Sequence, residues 1–339
     1  MDTQELEELD TQEDLLPEEE IVDPELEAVL AGARKKGKLR IRAEWVMGFI
    51  ALLAAVLLGV TALIAFQNYE PEVPGVTLPP KLDEEDPLLY AHQAEPTEET
   101  EPQGPEIPTI PPAPNPYDQF DFQYGRHNYL KLQNLPSYAG VDVSQFQGEI
   151  DWKKVAASGI DFALIRLGYR GWGSEGKLKE DEFARKNLEG AKAAGLRVGA
   201  YFFSQAVNEE EVDEEIAFML DILGDTPLDM PIVLDWEIPW VPEGKKARTD
   251  GAVDARALTN MQLHFGRVME RKGYTPMIYF NWRQSRELLY LSELEEFPFW
   301  LAWYSDRMTY PWAVEMWQYT ESGKVPGIEG NVDVNVYMP

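Results

Sequence analysis

Residues 45–66, from Trp45 to Phe66, form a run of 22 without a single Asp, Glu, Lys or Arg. As a helix rising about 1.5 Å per residue, such a run spans roughly 33 Å, the thickness of a bilayer's hydrocarbon core. A buried helix in a soluble domain usually keeps a polar stripe. A cleavable signal would be shorter, closer to the N-terminus and followed by a small-residue cleavage site. The run therefore predicts one transmembrane helix. Arg34, Lys35, Lys36, Lys38, Arg40 and Arg42 precede it, whereas Gln67-Asn68-Tyr69-Glu70-Pro71-Glu72 follows. By the positive-inside rule the N-terminus is cytoplasmic and everything after residue 66 lies outside.

The flanking segments take their character from charge and proline. Residues 1–33 form an acidic tail, since the first thirty carry 13 Asp and Glu and no Lys or Arg. Such a block repels itself and has little to bury, so it is expected to be disordered, with docking of a cytoplasmic partner as the alternative role. Residues 34–44 are the basic juxtamembrane segment. Residues 67–135 hold 13 of the chain's 25 prolines, mixed with Glu, Asp and Thr, and read as an extended extracellular linker. Its aromatic stretch Tyr117–Tyr124 is expected to pack on the domain that follows, a wall-binding strip being the other reading.

Composition removes whole classes of function. With 60 Asp and Glu against 30 Lys and Arg, the formal charge is −30, which argues against nucleic acid as a partner. Cysteine is absent and the three histidines (His92, His127, His264) are scattered, so thiolate chemistry, zinc trios and Ser-His-Asp sets are excluded. No metal or cofactor is expected, and any proton chemistry falls to carboxylates.

From residue 136 to 339 short β-rich runs alternate with amphipathic helical stretches. The strand candidates are 139–144, 162–167, 197–203, 231–237, 277–281, 299–304, 314–320 and 332–337, with helical patterns over 151–158, 181–194, 209–223, 256–272 and 284–291. Strands alternating with helices indicate parallel pairing, and eight of them point to a compact, irregular β/α (TIM-like) barrel; a doubly wound open sheet is the alternative. Active sites of such barrels lie at the C-terminal strand ends. There the sequence reads Leu234-Asp235-Trp236-Glu237, and a side-chain period of two sends both acids to one face. Asp142 falls late in the first strand and Asp333 opens the last; in a closed barrel these two strands are neighbours. Like charges gathered at one mouth raise one another's pKa, which suits general acid catalysis and gives the fold nothing.

These residues resemble glycoside hydrolase family 25, the lysozymes (N-acetylmuramidases) of bacteria, fungi and phages. The resemblance runs through Gly140-Val141-Asp142-Val143-Ser144-Gln145-Phe146-Gln147-Gly148, Ile150-Asp151-Trp152, Phe162-Ala163-Leu164-Ile165-Arg166 and Gly199-Ala200-Tyr201-Phe202-Phe203. It continues in Pro231–Glu237, Trp300-Leu301-Ala302-Trp303-Tyr304, Trp317-Gln318-Tyr319-Thr320 and Gly327–Asn335. It implies that Glu237 is the general acid, that Asp235 orients or stabilises charge beside it, and that Asp142 and Asp333 complete the acidic cluster. The implied fold is an irregular β/α barrel. The implied activity is hydrolysis of the β-1,4 bond from N-acetylmuramic acid to N-acetylglucosamine. An insertion over 238–250 alters the rim of the groove.

A glycosidase needs an acid for the leaving oxygen and a second group opposing the developing positive charge. Attack by the substrate's own 2-acetamido oxygen, with Asp235 holding the amide N–H, is the favoured route over a direct carboxylate nucleophile. Tyr201, Tyr279, Tyr304 and Trp300 are the aromatic candidates for sugar contacts, with Trp236, Trp303 and Trp317 also at strand ends. Gln318 and Arg166 are the polar candidates, with a structural pair to a nearby acid the favoured reading for Arg166. Peptidoglycan strands are the expected partner, and the protein is expected to be a membrane-anchored wall hydrolase. The other functional readings are a catalytically silent wall tether and an endo-N-acetylglucosaminidase on chitin-like or N-glycan chains. From residue 136 onward acids still outnumber Lys and Arg, 33 to 21. Attraction to an anionic wall is therefore not built in, which fits local remodelling.

Overall fold

The computed structural model describes residues 83–89, 111–125 and 127–339. The acidic tail (1–33), the basic segment (34–44) and the span 45–66 lie outside these. Among the described residues no helix is long and apolar enough to cross a membrane. In chain order the elements begin with β1 (Phe122–Tyr124), β2 (Leu130–Leu132), β3 (Tyr138–Val143), α1 (Trp152–Ala157), β4 (Phe162–Arg170) and β5 (Leu178–Glu180). Then come α2 (Ala184–Ala193), β6 (Arg197–Ser204), α3 (Glu209–Leu223), β7 (Ile232–Trp236), α4 (Ala255–Arg271) and β8 (Pro276–Asn281). The chain ends with α5 (Trp282–Glu287), β9 (Phe299–Ala302), β10 (Met316–Gly323) and β11 (Val332–Tyr337).

The eight strands expected from the sequence close into a barrel in the order β3-β4-β6-β7-β8-β9-β10-β11, with β11 returning to β3. Seven run parallel. β11 is antiparallel to both neighbours, and the stretch from Gly323 to Val332 that joins it to β10 is shorter than the crossover of about a dozen residues a parallel strand needs. β5 adds a short antiparallel flap to β4.

Side-chain alternation sorts each strand into two layers. Phe162, Leu164, Val233, Met277 and Met316 fill the barrel, whereas Ile165, Phe202, Leu234, Phe280 and Trp317 join the core between barrel and outer segments. Inside, the Phe162 ring sits where a side chain on Gly140 would be, 2.2 Å from an ideal Cβ, so only glycine lets β3 approach β4 there. The helices start where side chains can cap them. Asn208 accepts the Glu211 N–H at the head of α3, and Asp254 accepts the Ala257 N–H at the head of α4.

The domain begins earlier than residue 136. β1 and β2 pair antiparallel, and Phe122, Tyr129, Leu130 and Leu132 are buried in the outer core. The Phe122 ring meets Trp317 edge-on at 5.3 Å. Upstream, Asp86 and Leu89 are buried as well. The proline-rich stretch is therefore not one continuous extended spacer. Apolar burial and one charged latch, described below, override the local composition; within the aromatic stretch 117–124, Tyr117 and Phe122 pack on the domain as expected, whereas Phe120 and Tyr124 are exposed. Phe122→Ala should cost the domain about 3 kcal/mol, the usual scale for emptying a buried aromatic site. A urea midpoint unchanged from wild type would show that this hairpin contributes nothing to the fold.

Candidate active site

The C-terminal strand ends surround a cavity of about 610 Å³. Asp142, Asp235, Glu237 and Asp333 all line it, together with Tyr201, Tyr279, Trp300, Tyr304 and Gln318. Each sits on the inward parity of its strand or directly beyond that strand's end. Asp142 and Asp333 are register partners across the β3–β11 seam, so two carboxylates face each other. Asp142 and Asp235 are buried, while Glu237 and Asp333 are half-buried.

Two neutral amides hold the first pair together. Asp142 Oδ2 accepts from Asn335 Nδ2 at 2.7 Å and from Gln318 Nε2 at 3.0 Å, and the same Gln318 nitrogen reaches Asp333 Oδ2 at 3.4 Å. These amides are fixed from behind: Trp300 Nε1 donates to Asn335 Oδ1 at 2.9 Å, and Tyr304 OH to Gln318 Oε1 at 3.2 Å. Gln318 is thus bonded to two of the acids while itself lining the cavity.

The end of β7 is held in a different way. Its ladder to β8 stops after Ile232↔Pro276 and Val233↔Met277, so the two strands part as they approach the mouth. Parting leaves carbonyls without a strand partner, and such groups must find other donors. Three glutamines supply them. Gln262 Nε2 donates to the Leu234 carbonyl at 3.1 Å, Gln284 Nε2 to that of Trp236, and Gln205 Nε2 to that of Glu237 at 2.6 Å. The opened sheet gives the carboxyls room while its backbone stays bonded.

Burial is the largest influence on all four acids and raises their pKa values. Asp235 is driven well up, with the Glu237 charge adding to the effect. Glu237 is also raised, against hydrogen bonds from Tyr279, Asp235 and Asn281 that favour its charged form. Asp333 is driven well up by burial and then by Asp142. Asp142 is raised by burial, against the hydrogen bonds of Gln318, Asn335 and Asp333. The site is two carboxyl pairs, and in each the proton belongs to the pair. Burial drives the hydroxyls of Tyr201, Tyr279 and Tyr304 well up too, which keeps them neutral donors. A cavity that holds carboxylic protons beside carboxylates and neutral phenols is equipped to protonate a leaving oxygen and to oppose a nascent cation.

Arg166 takes the structural ion pair favoured from the sequence over a substrate contact. It does not line the cavity; its side chain is fully buried, with Nη1 and Nη2 on Asp86 and Nε on Asp181 Oδ2 at 2.7 Å. Trp236 and Trp317 face outward by parity, their ring nitrogens donating to the carbonyls of Ala206 and Trp303. Sequence reasoning passed over Asn335, Asn281 and Phe203. The inward parity of Asn335, two residues after Asp333, was the available signal. The insertion after Glu237 places Ile238, Pro239, Trp240 and Val241 along the cavity, with Trp240 57% exposed.

Burial against a like charge carries a stability signature. A carboxyl whose pKa is raised by folding holds its proton more tightly in the native state, so stability falls as pH climbs from the ordinary carboxylate range through the raised value. Asp333→Asn removes that penalty. Its melting temperature should exceed wild type's at neutral pH and match it in acid below the ordinary carboxylate range. A lower melting temperature at neutral pH would show that the Asp333 charge stabilises the fold.

Comparison with known proteins gives a consistent picture. The family model described as glycosyl hydrolases family 25 matches residues 141–328. The uncharacterized protein YegX of Escherichia coli strain K12 is 30% identical over 211 residues, covering 58% of this chain and 68% of its own length. Lysozyme M1 of Streptomyces globisporus is 29% identical over 209 residues, covering 58% of this chain and 67% of its own length. Among solved structures, the modular autolysin LytC from Streptococcus pneumoniae superposes with a TM-score of 0.51 at 24% identity, covering 64% of this chain. This chain spans about half of that autolysin, 52% of its length. LytC has also been solved in complex with a synthetic peptidoglycan ligand.

Proposed function

This chain belongs to glycosyl hydrolases family 25 and is a glycosidase, and from that premise we propose that it is a muramidase of peptidoglycan. The bond cut is the β-1,4 linkage between N-acetylmuramic acid and N-acetylglucosamine. The observation that carries the reading is the gathering of Asp142, Asp235, Glu237 and Asp333 around one cavity. Lysozyme M1 and the peptidoglycan-bound autolysin support the choice of substrate.

Glu237 is the group that gives its proton to the glycosidic oxygen. It is the more exposed member of its pair, and Tyr279 and Asn281 orient its carboxyl. Asp235 stands behind it, and its Oδ1 is buried without a hydrogen-bond partner among the described residues. A buried acceptor of that kind calls for a donor. The N–H of the substrate's 2-acetamido group supplies one, and this orients the acetamido oxygen to attack the anomeric carbon as the leaving oxygen takes the proton. Water then opens the cyclised intermediate. Asp142 and Asp333, at the β3–β11 seam across the barrel mouth from β7, add negative potential opposite the developing oxocarbenium charge.

The uncharged run 45–66, with six cations before it and none immediately after, supports a single-pass anchor with its N-terminus in the cytoplasm. The catalytic domain then works outside the membrane on the cell's own wall, and the acidic tail is free to meet a cytoplasmic partner.

Purified peptidoglycan treated with the full-length chain should release fragments whose new reducing ends are muramic acid by mass analysis. Reducing ends of N-acetylglucosamine would transfer the activity to the other glycosidic bond, and binding without cleavage would favour the silent-tether reading. Glu237→Gln should lower kcat by a factor of about 100 or more, the scale of a lost general acid, while glycan binding is retained. An unchanged rate would remove Glu237 from the role.

A further inference from the structure

The family match begins at residue 141, yet part of the cavity wall comes from more than fifty residues upstream. Pro87 and Leu88 line the same cavity as the four acids. They belong to a strap over 83–89 that is fastened to the barrel along its length. Asp83 accepts from Tyr169 OH at 2.7 Å and pairs with Lys179. Trp172 donates its ring N–H to the Glu84 carbonyl at 3.0 Å and its backbone N–H to that of Glu85 at 3.3 Å.

The latch is Asp86, which is wholly buried. It takes Arg166 Nη1 at 2.9 Å and Nη2 at 2.7 Å as a two-point fork, and Gln145 Nε2 at 2.9 Å. The Arg166 guanidinium lies near the Phe146 and Tyr169 rings, at 5.3 and 5.1 Å from their centroids. Asp181 takes the remaining edge through Nε and also accepts the Gln145 backbone N–H at 2.9 Å. A bidentate arginine–carboxylate pair fixes direction as well as distance. The residues that directly follow Asp86 are therefore set in place.

What they present is aliphatic. Pro87 has no N–H, and the Leu88 N–H is taken by Asp86 Oδ1 at 3.0 Å. An aliphatic surface with no free N–H suits a methyl-bearing acyl substituent, whose methyl loses nothing by leaving water. We propose that the strap is a built part of the substrate groove. Leu88 and Pro87 contact the methyl of an acetamido or lactyl group, and Asp86 is the positioning residue that holds them there. The proposal rests on the muramidase reading and assigns the wall of that site to a segment outside the family's own domain.

The test is kinetic, on the full-length chain acting on purified peptidoglycan (read as KM) and, in a second arm, inhibited by N-acetylglucosamine oligomers, which lack the lactyl group (read as the inhibition constant). Leu88→Ser should raise KM roughly tenfold, the scale of losing a small apolar contact, with kcat unchanged. Leu88→Ile should restore it. Asp86→Ala should raise KM similarly by releasing the wall, and Asp86→Asn, which cannot supply two charged oxygens to the fork, should fall between. A rise in both arms assigns the contact to the acetamido methyl; a rise on peptidoglycan alone assigns it to the lactyl methyl. An active wild type whose KM is moved by neither substitution overturns the strap's role. So does a variant with higher kcat/KM, since the strap would then obstruct the groove. A wild type that releases no reducing ends from peptidoglycan would instead overturn the muramidase reading.

Discussion

The site depends on one strand that runs against the others. β11 closes the barrel between β10 and β3, and its antiparallel register sets Asp333 opposite Asp142. A parallel strand here would need a crossover and would deliver its residues in another register. Closure also seals the interior, so carboxyls at the mouth have low-dielectric walls behind them and their neighbours' charges in front. Two like charges in that position resist joint ionisation, and the protons they retain are the resource the chemistry draws on. Packing elsewhere sustains this cost. Phe162, Leu164, Val233 and Met277 fill the barrel below the acids, and a second apolar layer lies outside the strands.

Much of this was legible from residue pattern. The eight barrel strands stand close to where period-two runs and turn residues place them, and the four acids meet because strand ends in such a barrel converge. Strand parity decides which of the strand-end aromatics face the cavity. Trp236 lies beside Asp235, and Trp317 beside Gln318, but one step along a strand turns a side chain to the opposite layer, so both indoles serve the outer core. The same rule picks out Asn335 beside Asp333. The early segments were harder to read. Proline and repeated acids describe a chain's local preference, and they say nothing about a cation eighty residues away. Arg166 sits on the inward face of an apolar strand, a position that requires a counter-charge. Nothing local to Asp86 distinguishes it from the many other acids of its segment.

The groove accordingly has walls of two origins. Barrel strands supply the acids, the tyrosines and Trp300, all on inward positions of a rigid lattice. Segments outside the strands supply the rim: Ile238 to Val241 after β7, and Pro87 with Leu88 from upstream. The acids are thus held by the strand lattice, whereas part of the rim comes from segments outside it, the kind of segment that can change without moving the strands.

The opened edge of β7 has a consequence of its own. Gln205, Gln262 and Gln284 bind its carbonyls through primary amides, which neither gain nor lose a proton in water at any ordinary acidity. Had lysine or histidine been used instead, each change of charge at the mouth would have disturbed the supports beneath it. With amides, the backbone under Asp235 and Glu237 keeps its shape through a full cycle of proton loss and recovery. Ionisation and geometry are uncoupled at the one place where a shift of either would misalign the reacting atoms.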